Sequence, residues 1–234
     1  MLLASVSLHS LLLTAEQEAS PGYMPPSTLL GTYEETRYAN FLSGVDTDAW
    51  CIDRSNPRLT ISTAEGAVWI HGTSSFATCH QTGISFCVAP ITSPRRLECV
   101  IVIDMNSRDT AFVLEFYSLD VGCALAQVRC NTDAFSFDAV VRPCPTHDVY
   151  PAANSRQFAF TGRRGPGVYS LRMLYNAEDQ TITGHAGDRL IGTAPLPWAP
   201  GRILVRLFAE TSRYFKGATD VRLQEARLGW DRAD

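Results

Sequence analysis

Three apolar segments in the middle of the chain carry polar side chains at regular spacing. Residues two apart in an extended strand share a face. On Leu97 to Asp104, Glu98 therefore lies with Val100, Val102 and Asp104. On Ala111 to Ser118, Glu115 lies with Tyr117. On Ala124 to Cys130, Gln127 lies with Arg129. If these strands are neighbours, Glu98, Glu115, Tyr117, Gln127 and Arg129 gather on one sheet face. Carboxylates, amides and guanidinium groups hydrogen-bond hydroxyls, and an aromatic ring stacks on the apolar side of a pyranose. The same residues also describe an ordinary solvated sheet face with cross-strand ion pairs such as Glu115 with Arg129.

The elements that must position these groups read as strands. From Gly167 to Asn176, Tyr169, Leu171, Met173 and Tyr175 alternate with Ser170, Arg172 and Asn176, the period of a half-buried strand. Turn chemistry at Asn176 to Asp179 and at Gly187-Asp188 separates strands at Gln180 to His185 and Arg189 to Ala194. Pro195, Pro197 and Pro200 mark a loop, and Arg202 to Phe208 and Thr219 to Leu228 close the set. Earlier candidates are Leu59 to Ser62, Ala67 to His71, Ile84 to Ala89 and Phe135 to Val141, with an irregular, proline-containing stretch over 142–157. About eleven or twelve short strands and no helical periodicity predict two packed antiparallel sheets.

Other residues suggest less. Trp198 sits among prolines in a loop, where its ring could stack on a sugar, whereas Trp69 lies within a strand and reads as core. Asp104 to Asp109 offers oxygen ligands on a turn, which calcium favours, although an Asx-rich hairpin turn explains the same residues. No cofactor is otherwise expected. His71, His80, His147 and His185 share no motif. Gly162 to Gly167 precedes no helix and is not a phosphate loop. No Gly-x-Ser-x-Gly elbow is present. Seven cysteines include no Cys-x-x-Cys pair and no zinc spacing. Cys79 and Cys87 could pair across a hairpin, and Cys99 reads as a buried thiol.

Bulk properties fit one globular unit. The chain has 234 residues, 45% hydrophobic and 19% charged, with a net charge of −4. An all-β sandwich often reaches this length as a single domain. Nineteen of the 20 basic residues are arginine, Lys216 being the exception, and no basic block suggests nucleic acid. No apolar run is long enough to span a bilayer as a helix. Residues 1–15 have the apolar character of a short signal peptide, which points to secretion, but lack basic residues at the start. Residues 1–31 read as a leader or extended arm, with Pro21, Pro25 and Pro26 excluding regular helix. Residues 32–234 read as the domain.

The strand spacing and the closing pattern Arg202 to Phe208, Gly217 and Val221-Arg222-Leu223 resemble the concanavalin A-like lectin/glucanase superfamily over roughly residues 45–230. The resemblance implies a jelly-roll β-sandwich whose concave face or loop rim binds glycans. Retaining glucanases of that fold carry a Glu-x-Asp-x-(x)-Glu strand. Here Glu115 has no carboxylate two residues on, and Asp120 falls on the other parity, so the two-carboxylate requirement is unmet. Alginate-lyase-like members show Arg-x-Glu, Gln-Ile-His and Tyr-Phe-Lys-Ala-Gly segments. This chain has Arg96-Leu97-Glu98, Gln127-Val128-Arg129 and Tyr214-Phe215-Lys216-Gly217 in the same order. Arg129 stands where the histidine would be, and an always-charged guanidinium is a poor base. The expectation is a jelly-roll module that binds an oligosaccharide or polysaccharide without catalysis, through Glu115, Tyr117, Gln127, Arg129 and Trp198. The alternatives are a structural subunit that contacts other proteins and a lyase or hydrolase of the same fold.

Overall fold

The computed structural model describes residues 28–53, 59–63, 68–73, 80–86, 90–106, 110–131, 134–140, 155–161, 166–211 and 218–232. These form sixteen strands and one 3-10 turn (Phe41–Ser43). In chain order the strands are β1 (Glu35–Asn40), β2 (Trp50–Asp53), β3 (Leu59–Ser62), β4 (Val68–Thr73), β5 (His80–Phe86), β6 (Ile91–Thr92), β7 (Arg96–Met105) and β8 (Thr110–Ser118). There follow β9 (Cys123–Cys130), β10 (Ala134–Val140), β11 (Ser155–Thr161), β12 (Gly167–Asn176), β13 (Thr181–Ala186), β14 (Arg189–Pro195), β15 (Arg202–Thr211) and β16 (Ala218–Asp231).

Two antiparallel sheets result. Sheet A runs β14-β13-β12-β7-β16-β4-β3, with β1 also paired to β16. Sheet B runs β11-β10-β9-β8-β15-β5-β2, with β6 paired to β15. Consecutive strands β7 and β8 fall in different sheets, so the chain crosses the sandwich between them. The long strand β16 pairs β4 through Ala218–Leu223 and β1 through Glu225–Trp230. A bulge between Leu223 and Glu225 re-phases the alternation, so that Val221 and Leu223 before it and Ala226 and Leu228 after it all join the core.

The alternation determines which side chains meet. Leu97, Cys99, Ile101, Ile103 and Met105 of β7 face Phe112, Leu114 and Phe116 of β8 and their neighbours in one buried cluster. The rings of Phe135 and Tyr169 meet across the sandwich, edge to face at 5.8 Å. Gly184 of β13 lies against Phe137 and Val128, and a Cβ there would stand 2.8 Å from a Val128 methyl, so the sheets approach too closely at that point for any other residue. Cys99 is a fully buried thiol whose pKa is pushed up by burial. Cys51 is disulfide-bonded, while Cys79 and Cys87 lie outside the described residues.

The strands expected from sequence appear, Leu59–Ser62 and Gly167–Asn176 with the expected ends and the others with shifted ones, residues 87–89 and 141 lying outside the described residues, while β1, β2, β6 and β11 are additions. Residues 155–157, read as irregular, open β11. The β1 sequence Glu-Thr-Arg-Tyr-Ala-Asn has no apolar alternation because it lies at a sheet edge and is largely exposed. Trp69 is a correction. Val68 and Ile70 supply the core, so Trp69 points outward, where its Nε1 donates to Asp220 (2.8 Å) and Arg222 lies over its ring.

The outer face of sheet A carries a buried ion pair under the chain's own arm. Glu98 (0% exposed) meets Arg172 (2% exposed), with Arg172 Nε 3.1 Å from Glu98 Oε1. The backbone N–H of Leu30 donates to both Glu98 oxygens at 3.0 Å, and Tyr33 Oη donates at 2.6 Å. Arg172 in turn donates to Thr28 O at 2.6 Å. Arg96 donates to Thr32 O at 3.0 Å, and Glu34 N donates to Asp231 Oδ1 at 3.0 Å. Residues 28–34 therefore run across this face, with Tyr33 seated on Gly229, where a side chain would leave it no room. A buried charge that loses its partner typically costs about 3–5 kcal/mol. Glu98→Gln should therefore lower stability by about that amount, measured by urea denaturation. Pairing it with Arg172→Met should recover most of the loss, whereas equal stability of the single variant and the parent would show that the pair contributes nothing.

Candidate functional site

The outer face of sheet B collects most of the residues expected at a site. In β8, Phe112, Leu114 and Phe116 point into the sandwich, which turns Val113, Glu115 and Tyr117 outward. In β9, Val128 and Cys130 enter the core and Gln127 and Arg129 face out. Glu115 is directly opposite Gln127 on β9 and opposite Arg206 on β15. Gln127 is also opposite Asp138 of β10. Four expected residues thus share one face, and Trp198 lies apart. Trp198 is in the loop before β15, half-buried and packed against the core.

The polar groups form one connected network. Gln127 Nε2 donates to Glu115. Arg206 donates to Glu115 Oε1 at 2.6 Å. Arg129 donates twice to Gln127 Oε1, at 3.0 and 2.5 Å. Arg129 also lies 3.0 Å from Glu210 and 3.7 Å from Asp138. The ion pair imagined between Glu115 and Arg129 is therefore replaced. Glu115 pairs with Arg206, and Gln127 stands between the two, because the register sets Val113, not Glu115, opposite Arg129.

Burial sorts these groups by role. Glu115 (2% exposed) and Gln127 (1%) are sealed by their neighbours. Arg206, Arg129 and Glu210 keep 23%, 12% and 14% of their side-chain surface. The Arg206 guanidinium lies 5.3 Å from the ring centroids of both Tyr117 and Phe208, a distance at which cation and ring attract. Burial raises the Glu115 pKa, although Arg206, Gln127 and Arg129 pull the other way. Burial likewise raises that of Tyr117, so its hydroxyl remains a neutral donor and acceptor near pH 7.

Several sequence expectations come apart in three dimensions. Glu98 shares the parity of Glu115 but belongs to sheet A, under the arm. Arg96 is there too, with its Nε on Asp231 at 2.5 Å, so Arg96-Leu97-Glu98 and Gln127-Val128-Arg129 occupy different sheets. Tyr214 to Gly217 lie outside the described residues, as do 107–109 of the turn considered for calcium. Among the described residues, no group of three or more His, Cys, Asp or Glu could hold a metal ion. Sequence reasoning missed Arg206, Phe208, Glu210 and Asp138. Their signal was present, since Arg206, Phe208 and Glu210 occupy the parity opposite to the core residues Val205, Leu207 and Ala209.

The raised Glu115 pKa makes a pH-dependent claim. A carboxyl whose folded pKa lies above its unfolded value holds its proton more tightly when folded. Its contribution to stability therefore falls as pH rises from the ordinary value, about 4.3, through the raised folded value. Glu115→Gln removes the titration. The stability of the parent minus that of Glu115→Gln should fall over this window and level off above it, followed by thermal denaturation in steps of pH. A difference that grows with pH would contradict the assigned environment.

No known family profile matches the sequence, and no curated protein matches it. Solved structures match the fold. Alginate lyase A1-II', a member of polysaccharide lyase family 7, superposes with a TM-score of 0.59 at 7% identity, covering 83% of this chain and 100% of that one. The Emp47p carbohydrate recognition domain gives 0.59 at 8% identity, covering 83% and 95%. A sialidase gives 0.57 at 11% identity, covering 84% of this chain and 18% of that one. With its two antiparallel sheets and these neighbours, the chain has the concanavalin A-like jelly-roll fold.

Proposed function

We propose that this chain is a non-catalytic glycan-binding module whose ligand lies on the outer face of sheet B. The observation that carries this reading is the sealed Glu115–Gln127–Arg129–Arg206 network beside the rings of Tyr117 and Phe208. Glu115 and Gln127 are too buried to meet a ligand broadside. They act by fixing Arg206 and Arg129, which keep 23% and 12% of their side-chain surface at this face. Tyr117 supplies a half-exposed ring and a neutral hydroxyl. Trp198 enters the proposal as a rim contact, since its loop leads into β15.

The charge balance favours a neutral glycan over an acidic one. Arg129 and Arg206 are matched by Glu115, Asp138 and Glu210 on the same face. A uronate carboxylate would have to displace one of these partners, whereas a hydroxyl can join them. The fold is shared with a carbohydrate recognition domain and with an alginate lyase, which makes a sugar ligand the first to test. The disulfide at Cys51 supports an oxidising, extracellular setting. No helix among the described residues is long and apolar enough to cross a membrane.

Two alternatives fare less well. A lyase needs a proton-abstracting group, and Arg129 at the relevant position is permanently charged and already paired. An assembly role for the arm gains nothing from residues 28–34, which lie on the chain's own sheet A. A glycan and polysaccharide array, with absorbance of unsaturated products followed on each hit, separates the readings. The proposal expects binding without product. Tyr117→Ala should weaken binding about tenfold through loss of stacking, and Trp198→Ala should weaken it less. Product formation would reverse the proposal in favour of a lyase, and a blank array would point to a protein partner.

A further inference from the structure

We propose a second glycan-binding site on the opposite side of the sandwich, centred on Tyr38 of β1. Tyr38 is 60% exposed, yet its ring is held from beneath. Its hydroxyl donates to Glu225 Oε2 at 3.0 Å, and the Arg227 guanidinium lies 5.5 Å from its ring centroid. Arg227 also donates to both Glu225 oxygens at 3.3 Å. All three residues lie on paired strands, with Tyr38 opposite Arg227 and Asn40 opposite Glu225. An aromatic ring fixed in this way loses little freedom on binding.

Open hollows flank the ring on both sides. One, of about 310 Å³, is lined by Asn40, Leu42, Val102, Val168 and Gln224. The other, of about 440 Å³, is lined by Leu29, Thr36, Arg37 and Arg227. Both volumes lie within the range of small-ligand sites. The first hollow sets the amides of Asn40 and Gln224 and the Glu225 carboxylate beside Leu42, Val102 and Val168, and the second sets Thr36 and two guanidinium groups beside Leu29. A pyranose has this dual character, with hydroxyls around its edge and an apolar side for the ring. A chain of three sugars would place one unit over Tyr38 and one in each hollow. Glu225 and Arg227 neutralise each other beside the ring, and Arg37 in the second hollow adds a further donor for hydroxyls; neutral chains are therefore the first to test. Residues 28–34 cover the neighbouring Glu98–Arg172 part of the sheet.

The site is independent of the sheet B reading, because no residue serves both. Isothermal titration with cello-, malto-, manno- and xylohexaose tests it on the full chain, comparing the parent with Tyr38→Ala, Tyr38→Phe and Tyr117→Ala. At least one hexaose should bind the parent, and Tyr38→Ala should weaken that binding about tenfold or remove one site. Tyr38→Phe keeps the ring and should stay within about threefold, which separates stacking from loss of the Glu225 bond. Tyr117→Ala should leave this site intact. If Tyr117→Ala changes nothing while Tyr38→Ala abolishes all binding, the sheet B proposal fails and this one stands. Identical binding by the parent and Tyr38→Ala, or no binding of any hexaose by the parent, overturns the proposal. Self-association of the parent that Tyr38→Ala abolishes, without any sugar effect, overturns it in favour of a protein interface.

Discussion

A charge removed from water must be matched by a partner, and this requirement shapes both outer faces of the sandwich. The inner faces follow from simple alternation of apolar residues. Outside, each sheet carries a fully buried glutamate, Glu98 on sheet A and Glu115 on sheet B. Sheet A meets the requirement with Arg172 and with the backbone and tyrosine of an arm distant in sequence. Sheet B meets it within itself, through Gln127, Arg206 and the Arg129 cluster. The two solutions leave different surfaces. Residues 28–34 roof part of the one, and the other carries a polar network whose Arg206, Arg129 and Glu210 keep some exposed surface.

This difference bears on chemistry. A catalytic acid or base must exchange its proton with a ligand and tolerate both states. Glu115 is sealed, and the paired Arg129 cannot serve as a base. The members that keep some exposed surface are the guanidinium groups of Arg206 and Arg129, the Glu210 carboxylate and the Tyr117 ring. In the proposed reading, such an array costs little to organise on binding. Fold alone would not separate these roles, since one jelly roll serves both a lyase and a carbohydrate recognition domain.

The fold was legible because alternation is a local property. Tyr169, Leu171, Met173 and Tyr175 announce the inward face of β12 without reference to any other strand. The site was legible only in part. Glu98 and Glu115 look alike in sequence, each a glutamate at the outer parity of an apolar strand. Which sheet each joins depends on the crossing between β7 and β8, and that is a long-range property. The role of residues 28–34 was hidden for the same reason, because Leu30 meets Glu98 across 68 positions. The polar edge strand β1 has no core alternation to signal it. Trp69 misled because a large ring suggests core, yet its flanking Val68 and Ile70 had already claimed that parity.

Chemical-shift mapping of the isotope-labelled protein tests the central claim most directly. Neutral hexasaccharides would be titrated in, and backbone amides and arginine Nε–H signals followed. The account expects shifts at Tyr117, Arg129, Arg206 and Phe208, together on one face and saturating at a common concentration. Shifts absent from all four, with the ligand binding elsewhere or not at all, would contradict it.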